Sequence, residues 1–129
     1  MCIRDSFQVA APFGSDIGGP NAAFIAFNPD VAFDSFLCVG DPAGELSASP
    51  GFPIEGWAAS ETVALETTNG AIFYMNPDDG PASDGAMLFA QLTLANEAVA
   101  AGGTATASLQ GRSVGGGDDW EGYAVTWAW

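Results

Sequence analysis

Apolar and polar positions alternate with a period of two in several short runs of this chain. In 104–110, Thr104, Thr106, Ser108 and Gln110 point one way and Ala105, Ala107 and Leu109 the other. Successive side chains on a strand face opposite sides, so this run predicts a half-exposed strand. In 122–129, Tyr123, Val125, Trp127 and Trp129 share one face, and Ala124, Thr126 and Ala128 take the other. The run 86–94 groups Leu88, Ala90, Leu92 and Leu94 against Met87, Phe89, Gln91 and Thr93, which predicts a central strand apolar on much of both faces. Shorter strand-like runs occur at 7–11, 22–27, 35–39, 62–66 and 71–75.

Turn-forming residues cluster between these runs, at 14–20, 28–30, 40–53, 67–70, 76–85, 102–103 and 115–119. Short strands with frequent turn signals predict an all-β chain, folded as an antiparallel β-sandwich of jelly-roll or Ig/cohesin-like type. One run departs from the pattern. Residues 95–101, Ala-Asn-Glu-Ala-Val-Ala-Ala, favour helix, and Gly102-Gly103 ends it after barely two turns. The stretch 41–60 shows no period and is read as a long ordered loop around Trp57. No internal repeat divides the chain, so 7–129 is expected to form a single domain.

The first six residues stand apart. Met1-Cys2-Ile3-Arg4-Asp5-Ser6 matches the translation of a transposase adaptor used to prepare sequencing libraries. The segment 1–6 is therefore expected to be an adaptor artefact, with the native frame entering near Phe7. On that reading Cys38 is the one native cysteine and Arg112 the one native basic residue, and any signal peptide is lost with the missing start.

The chain has 129 residues, 2 basic and 16 acidic, for a formal charge of −14. Such a field repels nucleic acid and anionic membrane surfaces, and it suits cations or solubility in salt. No apolar run approaches the ~20 residues that a spanning helix needs. The chain has no His, which removes His-activated nucleophiles and nearly all catalytic zinc sites. It has no Lys, which removes Schiff-base chemistry and the phosphate-binding P-loop. Cys38, within Phe36-Leu37-Cys38-Val39, reads as a small buried hydrophobe. Carboxylate pairs remain, but Asp78-Asp79 and Asp118-Asp119 fall in turns where acidic residues are common anyway. The expectation is a non-catalytic protein.

Three features offer candidate sites. The loop 76–85 supplies Asn76, Asp78, Asp79 and Asp84, oxygen donors of the kind calcium takes. Its spacing is not that of an EF-hand, and the same residues suit an acidic hairpin connection. Calcium is the one cofactor these residues suggest, as a weak structural site. In 110–120, Arg112 is expected to form a structural ion pair with Asp118 or Asp119 that pins a glycine-rich loop, and Arg112→Lys is expected to destabilise it. Among the aromatics, core packing is the default. Trp57 and Trp120, both in glycine-rich stretches, are the candidates for exposed rings that bind a sugar face.

Four stretches together resemble a domain that recurs in secreted and cell-surface proteins of marine bacteria. They are PNAAFIAFNPDVAFDSFLCVG (20–40), NGAIFYMNPDDGP (69–81), LFAQLTL (88–94) and LQGRSVGGGDDW (109–120). The shared order is an aromatic-rich strand, a Phe-Asp-Ser-Phe step, an Asn-Gly-Ala strand, an Ala-Gln-Leu-Thr strand, and a Gln-Gly-Arg turn before a Trp. Cys38 departs from it, standing where a small or β-branched residue is usual. The resemblance implies an extracellular or cell-surface β-sandwich module within a longer chain, and because members of the group begin one or two strands before the position of Phe7, it also implies that one or two N-terminal strands are missing. It would act as a structural spacer, with neighbouring domains as its partners. A carbohydrate-binding module using Trp57 and Trp120 on a polysaccharide is the alternative, and a calcium-stabilised adhesion module is a third reading.

Overall fold

The computed structural model describes residues 2–3, 6–40, 46–58, 64–74, 86–112 and 117–129. Their regular structure is mostly antiparallel strand with few helices. Strand β1 (Cys2–Ile3) pairs with β4 (Leu65–Glu66), β2 (Phe36–Leu37) with β6 (Ala90–Gln91), and β3 (Ser47–Ala48) with β5 (Ile72–Phe73). The fourth pair is far longer: β7 (Thr104–Gly111) with β8 (Trp120–Ala128). Helix α1 covers Ile54–Ala58 and α2 covers Asn96–Ala101. The helix expected over 95–101 is thus present, and Gly102 ends it at a φ of 72°.

Several expected strands take other forms. The run 22–27 is a 3-10 segment, Ala22–Ala26, because the Asn21 side chain accepts the Ala23 N–H and turns the chain. Asn28 does the same to Asp30, and Pro29 opens a second 3-10 segment, Pro29–Phe33. These turns leave Phe27 80% exposed and Phe33 58% exposed. Residues 7–11 contain no strand, and of 86–94 only Ala90–Gln91 are strand.

The stretch 41–60 is also more regular than a loop. It contains β3 and α1, and Pro53 immediately precedes α1, where a missing N–H is harmless. Ile54 and Trp57, three apart on α1, pack on one core with Leu37, Leu65 and Ala105. Phe52, Ile72, Ala90, Leu92 and Trp129 pack around them. Strands β2, β4, β5, β6 and β7 therefore all contribute to a single apolar cluster.

Segment 34–38 lies at the centre of the buried polar structure. Asp34 and Ser35 are fully buried. Asp34 Oδ1 accepts the Val9 N–H at 2.7 Å, and Oδ2 accepts the Ser15 N–H at 2.8 Å. Its carbonyl accepts the Gln91 amide at 2.7 Å. Ser35 Oγ accepts the Thr93 N–H, and Ser35 N–H donates to Phe7 O. Leu37 N–H donates to Asp16 O, and Gly18 N–H to Leu37 O. One short segment thus joins the chain near residues 7–9, 15–18 and 88–93.

Candidate functional site

The β7–β8 ribbon carries two exposed aromatic residues, Trp120 and Tyr123. Its register runs from Thr104↔Ala128 to Ala107↔Val125, then shifts by one between Ala107 and Leu109 and resumes at Leu109↔Gly122. The extra residue lies on β8. Ala124 has a φ of 50°, and its N–H donates to Ser108 Oγ at 3.2 Å. This is a β-bulge.

The bulge changes which side chains share a face. Directly opposed residues point the same way, so Val125 and Trp127 lie with buried Ala107 and Ala105. Past the bulge, Gly122 and Trp120 lie opposite Leu109 and Gly111 on that same face. Tyr123 falls out of phase. It is 75% exposed, and its hydroxyl donates to Glu121 Oε2 at 2.6 Å. That bond, and the negative charge behind it, push the phenol pKa above its usual value. The expected face of Tyr123, Val125, Trp127 and Trp129 therefore loses Tyr123 and gains Trp120.

Trp residues face glycine at both ends of the ribbon. The Trp120 ring lies over Gly111, and the Trp129 ring over Gly103, so close that a Cβ on either glycine would overlap the indole. A ring laid across an opposing glycine covers backbone that would otherwise be bare. Trp127 meets Phe89 with ring centroids 4.6 Å apart.

The two candidate sugar-stacking rings fare differently. Trp57 is 0% exposed and belongs to the core, so the expectation that it presents a ring to solvent is corrected. Helix α1 rotates it inward beside Ile54. Its Nε1 finds no hydrogen-bond acceptor among the described residues, consistent with a ring held by packing. Trp120 is 48% exposed, with its ring backed by Gly111. The two indoles do not form a common surface.

Arg112 lies one residue beyond β7, with its Nε 3.6 Å from Asp119 Oδ1, at side-chain exposures of 70% and 64%. This is a single exposed contact, not a bidentate fork, and pairs of this kind add little stability. Asp118 is exposed beside it. Asn76, Asp78, Asp79 and Asp84, the candidate calcium ligands, lie outside the described residues.

Sequence reading gave no chemistry to Asp16 and Asp34. Asp16 is half-buried, and burial raises its carboxyl pKa above 3.8, with the nearby Asp34 charge adding to the rise. The Gln8 amide nitrogen, turned toward both acceptors, lies 3.1 Å from Ser35 O and 3.3 Å from Asp16 Oδ1. Both Asp34 oxygens are occupied by backbone N–H groups, so Asp34 acts within the frame. The one signal for it in the sequence was its place in the Phe33-Asp34-Ser35-Phe36 step.

No helix among the described residues is long and apolar enough to cross a membrane. Compared with family models, with curated proteins and with solved structures, the chain matches none.

Proposed function

We propose that this chain is a non-catalytic structural module of a secreted or surface-attached protein, a spacer folded as an antiparallel β-sandwich. The observation that carries the reading is the use made of Asp34. This carboxyl is 0% exposed, and both its oxygens brace backbone from other segments. A buried carboxyl satisfied in this way fixes loops and offers nothing to a substrate. The sandwich is supported by the core, where residues of five strands meet around Trp57. The acidic surface, at −14, suits an extracellular, salt-rich setting.

A second reading, a carbohydrate-binding module, is favoured by Trp120 alone. One side of its ring is backed by Gly111 while nearly half of the residue stays accessible. Tryptophan fluorescence during titration with soluble polysaccharides, neutral and anionic, together with retardation in affinity gels, separates the two. A spacer leaves the emission and the mobility unchanged. Quenching and retardation that Trp120→Ala abolishes would replace the spacer reading with the glycan one.

A further inference from the structure

We propose that the outer edge of β8 is a self-association surface, on which a second copy of this chain adds its own β8 antiparallel about a two-fold axis at Trp127. Gly103 N–H donates to Trp129 O at 3.2 Å, and Trp129 N–H donates to Gly103 O at 3.1 Å. Pairs that exchange both bonds alternate along an antiparallel ladder with pairs that bond outward. With Thr104↔Ala128 and Thr106↔Thr126 in register, Thr126 and Ala128 turn their N–H and C=O groups away from β7. Among the described residues no backbone hydrogen bond reaches that side of β8. Val125, Thr126 and Ala128 are exposed.

Natural edges are blunted by lysine, proline, inward charge, bulges or a covering element. From Val125 to Trp129 the sequence Val-Thr-Trp-Ala-Trp has no charge, proline or glycine. The bulge at Ala124 stops the usable edge on one side and leaves these five residues regular. Such a segment is rich in the β-branched and aromatic residues that pair readily.

The occupant follows from the symmetry of the open groups and from charge. Placing Trp127 on a two-fold axis sets Thr126 opposite the partner's Ala128, so that every outward group of both residues is bonded. Val125 then faces the partner's Trp129, and the two Trp127 side chains lie side by side, a favourable cross-strand aromatic pair. No like charges are opposed, because Glu121 is the one charged residue of β8 and lies beyond the bulge. A basic peptide strand would find no carboxylate facing it between Val125 and Trp129, whereas a second copy matches every outward group of Thr126 and Ala128. Each copy carries a formal charge of −14, none of it on this edge, so the pairing must strengthen as salt screens the repulsion between copies.

Sedimentation velocity of the full chain, with reductant present, over rising protein concentration at low salt and at about 1 M NaCl tests this. The expected result is a doubling of mass that appears at lower concentration in high salt. Thr126→Pro and Ala128→Pro each remove an outward N–H while sparing the ladder to β7, and each is expected to weaken the dimer by about tenfold or more. Amide exchange in the unmutated chain gives a reading independent of the variants' folding. Thr126 and Ala128 should slow as the dimer forms, with their neighbours Val125 and Trp127 unchanged. A chain that stays monomeric at every salt and concentration overturns the proposal. So does a dimer that both proline variants leave intact, or one that leaves Thr126 and Ala128 exchange unaltered.

Discussion

Two regions of this molecule are held together in opposite ways. The β7–β8 ribbon is the longest regular element among the described residues, yet its residues are largely exposed. Segment 34–38 contains only two strand residues, yet it is buried throughout and is bonded to three other parts of the chain. In the ribbon, stability comes from a backbone ladder and from rings laid over glycine. In the buried segment, it comes from side chains that satisfy distant backbone groups. The contrast teaches that length of regular structure is a poor guide to where this fold is anchored.

The largest expected effect is at Asp34. Asp34→Ala leaves the Val9 and Ser15 N–H groups unsatisfied inside the protein and should cost about 3–5 kcal/mol in chemical unfolding. A smaller effect of opposite sign is expected in the ribbon. Ala124 holds a positive φ that glycine adopts without strain, so Ala124→Gly should raise stability by about 1 kcal/mol, read as a higher melting temperature.

Asp16 gives a pH signature. Its folded pKa is raised, so its contribution is full below the unfolded carboxylate pKa and is lost as pH rises through the folded value. Asp16→Asn should therefore melt above the parent chain at neutral pH, and the difference should shrink toward acid. Melts across pH 3 to 7, roughly the range over which a raised carboxyl titrates, check this. The smallest effect is expected at Arg112. Arg112→Lys should change stability by less than about 0.5 kcal/mol, because the contact with Asp119 is single and exposed. That replaces the destabilisation expected from an ion pair that pins the glycine-rich loop.

The ribbon was legible in the sequence because its alternation is local. Thr104 to Gln110 declares a strand without reference to any other segment. The bulge was not legible. Gly122 is the residue a reader would choose for a positive φ, yet it falls on Ala124, whose N–H is met by Ser108 sixteen residues away. Trp57 was misplaced for a related reason. Its glycines and prolines suggest a loop, but Pro53 precedes a short helix and the core decides which way the ring turns. The Asp34 frame was visible only as a step in a resemblance. Its partners at Val9 and Ser15 are 25 and 19 residues away, and no spacing rule links them.

Hydrogen exchange resolved at single amides, at low protein concentration and low salt, tests most directly the claim that the fold is anchored at segment 34–38. The strongest protection is expected at Val9, Ser15, Ser35, Leu37 and Thr93, with Thr126 and Ala128 exchanging fast. Ribbon amides more protected than these five, with Val9 and Ser15 exchanging freely, would contradict it.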